Sequence, residues 1–282
     1  MRVLSIHSHV ASGHVGNSAA VFPLQRLGHD VIAVPTVILS HHPGHGAWHG
    51  HHMRVDDLAA VFDGLDAHGV YGQCDAVLSG YLGGSAAAGL ARHAWSQVRN
   101  ANPQALVCCD PIMGDTAEGL YVAEDLIRFY REDALAEADV IFPNRFELEL
   151  LSGVAVTNAA TALSAARSVM PSDGVLKMVL ATSVPLAGEL GVVLVSATEA
   201  WQIQAPEIEL AAKGAGDFFA AVWLGHYLRD RDAVRALGAA GAATGIVVAA
   251  AAQQAARELP IVQCQGDWMS ALAVGTPTPV DP

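Results

Sequence analysis

Three features of this 282-residue chain predict an α/β fold whose sheet is mostly parallel and covered by helices on both faces. Short β-rich runs alternate with helix-length segments along most of its length. Those runs are continuously apolar, as buried strands of a parallel sheet are, and do not show the strict alternation of a half-exposed sheet. Two late strands follow one another with no helix between them, which predicts an antiparallel hairpin at one edge.

The elements follow in order. The opening run "RVLSIHS" (2–8) is a strand by its Val, Leu and Ile content, and its apolar stretch is too short for a signal peptide. A helical pattern near 17–28 leads to the strand "DVIAVPTVI" (30–38), and a second near 55–69 to "DAVLSG" (75–80). Helix 86–101 precedes "ALVCCD" (105–110), and helix 124–137 precedes "DVIF" (139–142). Helical patterns at 144–152 and 159–170 come before the hairpin pair "VLKMVLA" (175–181) and "LGVVLVS" (190–196). "AWQIQA" reads as a last strand, and helices at 216–229 and 232–254 complete the series. The stretch 236–253 imitates a membrane span, but it is mostly Ala and Gly, with Arg231, Asp232 and Arg235 just before it. A buried helix packed through small residues is the expectation, and no membrane partner. With no internal repeat and no Pro/Ser-rich linker, residues 1–282 read as a single domain.

Composition excludes several classes of function. A hydrophobic content of 52% with 15% charged residues is that of an ordered globular chain. The formal net charge of −13 argues against nucleic acid, whose phosphates need a basic face. An anionic small substrate stays open, because a local site can be positive inside an acidic protein. Cys74, Cys108, Cys109 and Cys264 have neither metal spacing nor a disulfide pattern, so a reducing, cytoplasmic compartment is expected.

In sheets of this kind ligands lie beyond the carboxyl ends of the strands. That rule places Ser8, Gly80, Tyr81, Asp110, Asn144 and Thr182 along one polar rim. The other notable stretch is Gly214-Ala215-Gly216-Asp217, which runs straight into an apolar helix. A helix beginning near Gly216 aims unpaired amides and the positive end of its dipole outward, and glycine lets an anion come close. No GxxxxGK[ST] loop occurs in the chain. Asp217 would repel an anion, but it has a use there if it accepts the proton of an attacking hydroxyl while the amides steady a transferring phosphoryl group. An ordinary helix start with aspartate as cap fits the same four residues.

The segments "VLSIHSHVASGHVGNSAAVFPLQRLG", "SGYLG", "NPQALVCCDPIMGD", "GLYVAEDL", "PNRFELELLSG" and "KGAGDFFAA" occur in that order. Together they resemble the pyridoxal kinases of the ribokinase-like superfamily, over essentially the whole chain. The GAGD motif alone would indicate only the superfamily, whereas the SHV…GN opening with "CDPIMGD" and "PNRFELELL" is more specific. The resemblance implies a three-layer α/β/α sandwich, a homodimer, and ATP with Mg²⁺ phosphorylating the 5′-hydroxymethyl group of pyridoxal and its relatives; a K⁺ requirement is left open. It implies Asp217 as catalytic base and Gly214, Ala215 and Gly216 as anion hole, with Ala215 where threonine or valine is common. Ser8, Val15, Leu39 and Tyr81 would line the substrate pocket. Asp110 and Glu147 would organise Mg²⁺, with Asn144 beside them, and Asp115, Tyr121, Thr182 and Ser183 would contact the nucleotide phosphates.

The tract "SHHPGHGAWHGHHM" (40–53) contains six histidines and could bind a transition metal. By the resemblance it is instead a flap over the substrate, with His42, Pro43 and Trp48 at family positions. Two departures stand out: His7 replaces a common glutamine, and Pro43 replaces a threonine whose hydroxyl contacts the substrate ring. Both are expected at the pyridine end of the pocket. A kinase for a related heterocycle such as hydroxymethylpyrimidine and a non-catalytic vitamer- or metal-binding relative are the competing readings; Asp217, Asp110 and Glu147 weigh against the second of these.

Overall fold

The computed structural model describes residues 1–171, 174–205, 208, 212–271 and 276–280. The chain begins with β1 (Arg2–Val10), α1 (Asn17–Arg26), β2 (Asp30–Leu39), β3 (Gly50–His52) and α2 (Val55–Ala67). It continues through β4 (Ala76–Ser79), α3 (Ser85–Ala101), β5 (Leu106–Cys109) and a small ribbon of β6 (Gly114–Asp115) and β7 (Gly119–Leu120). Next come α4 (Glu124–Phe129), α5 (Leu135–Glu137), β8 (Val140–Ile141), α6 (Arg145–Ser152) and α7 (Ala159–Ser168). The last third holds β9 (Met178–Leu186), β10 (Glu189–Ser196), β11 (Ala200–Ala205), α8 (Ala215–Asp230), α9 (Ala233–Gln253), α10 (Gln265–Ser270) and β12 (Thr278–Pro279).

Ten strands form one sheet in the order β12-β11-β10-β9-β8-β5-β4-β1-β2-β3. The six central strands from β2 to β9 are parallel, and the β9–β10–β11–β12 side is antiparallel. The expected edge hairpin is therefore part of a larger antiparallel block. It turns at Ala187 and Gly188, both at positive φ, as a two-residue hairpin needs.

Strand alternation divides the core into two layers. Leu4, Ile6, Val77, Val107 and Cys109 face α2, α3, α4, α6 and α7 through Phe62, Trp95, Leu126, Leu148 and Leu163. Val3, Ala76, Leu78, Leu106 and Cys108 face α1, α8, α9 and α10 through Leu24, Trp223, Leu237 and Trp268. The neighbouring thiols Cys108 and Cys109 thus point to opposite layers, and all four cysteines are free and buried. α9 is long and apolar enough to cross a membrane, but it buries Leu237, Ala240, Val247 and Ala251 in the layer shared with α8.

Several elements differ from the sequence expectation. β3 forms inside the histidine tract and pairs antiparallel with β2. The helix expected at 124–137 is interrupted by a π-helical turn, Tyr130–Ala134. α6 starts at Arg145 with Asn144 as its cap. The strand expected at 175–181 runs on to Leu186, so Thr182 lies inside a strand and not just after one.

Asp139, 4% exposed and just ahead of β8, joins β5, the start of β9 and one helix. It accepts from the Val107 amide at 2.9 Å and from Arg99 of α3 at 2.7 Å, with Lys177 at 3.0 Å ahead of β9. Asp139→Ala leaves the buried Val107 amide without an acceptor and is expected to lower stability by about 2–4 kcal/mol in urea unfolding. A change below about 0.5 kcal/mol would mean that these contacts are interchangeable with water.

Candidate active site

A cavity of about 350 Å³ opens where the carboxyl ends of β1, β2, β4 and β5 meet the start of α8. Its floor is built by a close approach of backbone. Gly214, the residue before α8, sits at φ 96°, and a Cβ there would overlap the His14 carbonyl in the loop after β1. Only glycine lets that loop pack against the helix start. The first helical bond of α8 runs from the Phe218 amide to the Gly214 carbonyl, at 3.0 Å. The amides of Ala215, Gly216 and Asp217 are therefore left without helical partners at the positive end of a 16-residue helix.

Asp217 does not cap that helix: the cap residue is Gly214, and no side chain caps it. Its carboxylate, 9% exposed, turns instead toward β1 and the loop after it. Oδ1 lies 3.0 Å from His7 Nε2, and Oδ2 accepts the Gly16 amide at 2.8 Å. Burial alone would push this carboxyl up, but His7 and the Gly16 amide together hold it below its ordinary value. His7, expected at the pyridine end of the pocket, thus faces the proposed base. Sequence could not pair the two, since 210 positions separate them.

Asp110 and Glu147 behave oppositely. Burial, the charge of Glu147 and that of Asp217 push Asp110 well above its ordinary value. Burial raises Glu147 to about 7, against the amides of Asn144, Met113 and Gly114 that favour its charged form. Glu147 closes a capping box: its Oε2 accepts the Asn144 amide at 2.8 Å while the Asn144 side chain accepts the Glu147 amide at 3.0 Å. Its Oε1 accepts the Met113 amide at 2.9 Å, which also anchors the loop after β5. Glu147 is consequently a builder of the pocket wall as well as a charge in it.

One flank is apolar. Val10, Val15, Val37 and Leu39 form a small cluster against Tyr81. His42, Pro43, Gly44 and Trp48 cover it from the histidine tract. That cover is held down by His45 Nδ1, 3.0 Å from Glu258 Oε1, and Glu258 also takes the His14 amide at 3.1 Å. The tract's other histidines separate, with His51 and His52 on β3. Among the described residues no three His, Cys, Asp or Glu side chains converge as a metal site.

The opposite flank is polar. Lys213 meets Asp115 at 3.2 Å and Glu118 at 2.8 Å, and the Tyr121 hydroxyl donates to Asp115 at 3.1 Å. Burial raises Asp115, but the Glu118 amide, Lys213 and Tyr121 outweigh it and keep the carboxyl low. Lys213 is the one lysine or arginine lining the cavity among the described residues. It stands at the head of "KGAGD" and could have been singled out from the sequence.

Of the residues named from the sequence, Ser8, Val15, Leu39, His42, Pro43, Tyr81, Asp110, Tyr121, Asn144, Glu147, Thr182, Gly214, Gly216 and Asp217 line this one cavity. Ala215, Asp115 and Ser183 do not. Ala215 packs against the core layer of α8 instead, and Asp115 contacts Lys213, which does line it. A bulge explains Thr182 and Ser183: the pairing of β9 and β10 shifts at Gly191/Val193, so both residues stand opposite Val192. The bulge sends Thr182 to the cavity and leaves Ser183, at φ 58°, exposed on the other side.

The chain has relatives among known proteins, in sequence and in structure. Residues 52–260 match the family model described as phosphomethylpyrimidine kinase. The chain is 44% identical to the pyridoxal kinase PdxY of Rubrobacter xylanophilus over 94% of this chain and 92% of that one. It is 39% identical to the pyridoxal kinase PdxY of Corynebacterium diphtheriae over 94% of each. Among solved structures it is similar to pyridoxal kinase from Leishmania donovani in complex with ADP and ginkgotoxin, with a TM-score of 0.92, 32% identity and 99% of both chains covered. The same enzyme with ADP and pyridoxine gives 0.91 at 31% identity, again over 99% of both chains.

The raised Glu147 carboxyl predicts a pH dependence of stability. Unfolded, it titrates near 4.5; folded, it keeps its proton to about 7. The folded state therefore binds more protons across that interval, and Glu147 removes stability as the pH rises from about 4.5 to about 7. Urea unfolding of metal-free protein at a series of pH values is expected to fall less steeply over that range in Glu147→Gln than in the parent. Parallel slopes would place the Glu147 proton elsewhere.

Proposed function

The chain belongs to the phosphomethylpyrimidine kinase family and stands with its pyridoxal kinases; from that premise we propose that this cavity transfers the γ-phosphoryl group of ATP to the 5′-hydroxymethyl group of pyridoxal and related B6 vitamers. The observation that carries the reading is the placement of Asp217 immediately beyond three free amides at the start of α8. The apolar flank of Val15, Leu39 and Tyr81 receives the vitamer ring, with its hydroxymethyl group toward Asp217. The carboxylate, held ionised by its two donors, takes the hydroxyl proton as the oxygen attacks phosphorus. The amides of Ala215, Gly216 and Asp217 steady the charge on the phosphoryl oxygens, and Lys213 adds the cation that an otherwise acidic pocket lacks.

Asp110 and Glu147 suit Mg²⁺: two buried hard-oxygen donors, whose carboxyls are raised by burial and by neighbouring carboxylate charge. A bound Mg²⁺ would supply charge neutralisation at the phosphates. Asp110 is the freer of the two, since both oxygens of Glu147 already accept backbone amides. A cytoplasmic homodimer completes the proposal, supported by the four free thiols and by the likeness to the family.

The deciding assay is ATP-dependent product formation from pyridoxal, pyridoxamine, pyridoxine and hydroxymethylpyrimidine side by side. Product from the B6 vitamers is expected, and turnover of hydroxymethylpyrimidine alone would move the chain to the other branch of the family. In the same assay Asp217→Asn is expected to lose roughly 10²–10⁴-fold in kcat while ATP binding survives. Parent-like turnover would remove Asp217 as base.

Pro43 has neither hydroxyl nor amide hydrogen to offer the ring, although it lines the cavity. Pro43→Thr is expected to improve kcat/KM for pyridoxal by about two- to tenfold, the worth of one hydrogen bond. No change for any vitamer would mean that residue 43 covers the ring without contacting it.

A further inference from the structure

His7 is held in a built slot. A Cβ on Gly80, at the carboxyl end of β4, would overlap the His7 ring, so the "SGY" glycine is what admits the imidazole between β1 and β4. The ring is 4% exposed. Its Nδ1 accepts the Ser8 amide at 2.9 Å and the Tyr81 amide at 3.3 Å. Backbone N–H groups only donate, so Nδ1 must present its lone pair, and the ring proton resides on Nε2. That nitrogen is the one 3.0 Å from Asp217 Oδ1. Four independent constraints — slot, two amides and the carboxylate — therefore fix one tautomer in one orientation.

We propose that His7 is the positioning residue of the base: its Nε2–H binds Asp217 Oδ1 and leaves Oδ2 as the oxygen that receives the substrate proton. The inference rests on the kinase reading above and adds to it the reason why the base is single-sided. Oδ2 is held only by the Gly16 amide, which belongs to the loop after β1 and can be shared with an arriving hydroxyl. Oδ1 is committed to a side chain with no freedom to turn. The other titratable groups around the pair are His42 from the tract, Tyr81 beyond β4 and Asp110 beyond β5. Of these, His42 adds to the hold on the Asp217 charge, and Asp110 opposes it. Holding the charged form through a hydrogen bond also keeps the base ionised at acid pH.

The test compares His7→Leu, which has no donor, with His7→Gln, whose carboxamide restores an N–H on a side chain of similar reach. In His7→Leu the acid limb of kcat/KM for pyridoxal is expected to move up by about one pH unit, with kcat reduced about ten- to a hundredfold. His7→Gln is expected to return the limb to the parent position and recover most of kcat. Substrate ionisations are common to all three proteins and cancel in the comparison. A purely structural role would lower activity without moving the limb, and would overturn the proposal, as would a folded His7→Gln that behaves like the leucine variant. A readout free of activity comes from ¹⁵N NMR of the His7 ring in the parent chain. The proton on Nε2 is expected, and a proton on Nδ1 would overturn the proposal even in an active kinase. An inactive protein with the Nε2 proton in place would instead refute the kinase reading alone.

Discussion

The structure depends on a carboxylate suspended between two ends of the chain. Asp217 belongs to α8, yet its oxygens are held by His7 of β1 and by the Gly16 amide of the following loop. A buried carboxylate without donors would take up a proton or unfold its surroundings. The two donors remove both outcomes, and they exist only because the loop after β1 lies directly on the start of α8. Gly214 permits that contact, since any side chain there would collide with His14. The parallel order of the sheet, with β1 beside β4 and α1 and α8 packed on the same face, follows the same requirement: it brings the first strand to a helix 200 residues later.

Around that carboxylate the pocket sorts its acids by environment. Asp217 is held low by donors, while burial raises both Asp110 and Glu147, with the charge of Glu147 adding to the rise at Asp110 and that of Asp115 to the rise at Glu147. Groups of one chemical type thereby differ in charge state, and the proposed function uses that difference: Asp217 as the base, Asp110 and Glu147 as cation ligands. Cations at the cavity are few among the described residues. Lys213, tied to Asp115 and Glu118, and the dipole of α8 are what offset a chain of net charge −13 at the point where the proposed function puts phosphate. The acidic exterior and the anion-receiving interior are compatible because the favourable field is local.

Most of the sheet was legible in the sequence because its central strands are buried on both faces and read as unbroken apolar runs. GAGD was legible because a helix start needs particular residues at fixed offsets, and so was the rim, since it follows the strand ends. What escaped has physical reasons. β3 is "GHH", with no apolar alternation to mark it, and it is fixed by pairing with β2. β12 contains a proline and has only an edge to pair with. The bulge that separates Thr182 from Ser183 arises from the β9–β10 register, which no local pattern encodes. His7 was visible as a departure, but its contact with Asp217 was not. Its partner is distant in sequence, and the Gly80 slot that aims it appears only when β1 and β4 are side by side.

The most direct measurement of the central claim is a crystal structure of the protein with pyridoxal and a non-hydrolysable ATP analogue. The 5′-hydroxyl oxygen is predicted within about 3 Å of an Asp217 carboxylate oxygen, in line with the terminal phosphate over the start of α8, while His7 stays on Oδ1. A vitamer whose hydroxymethyl group points away from Asp217, or toward Asp110 in its place, would contradict it.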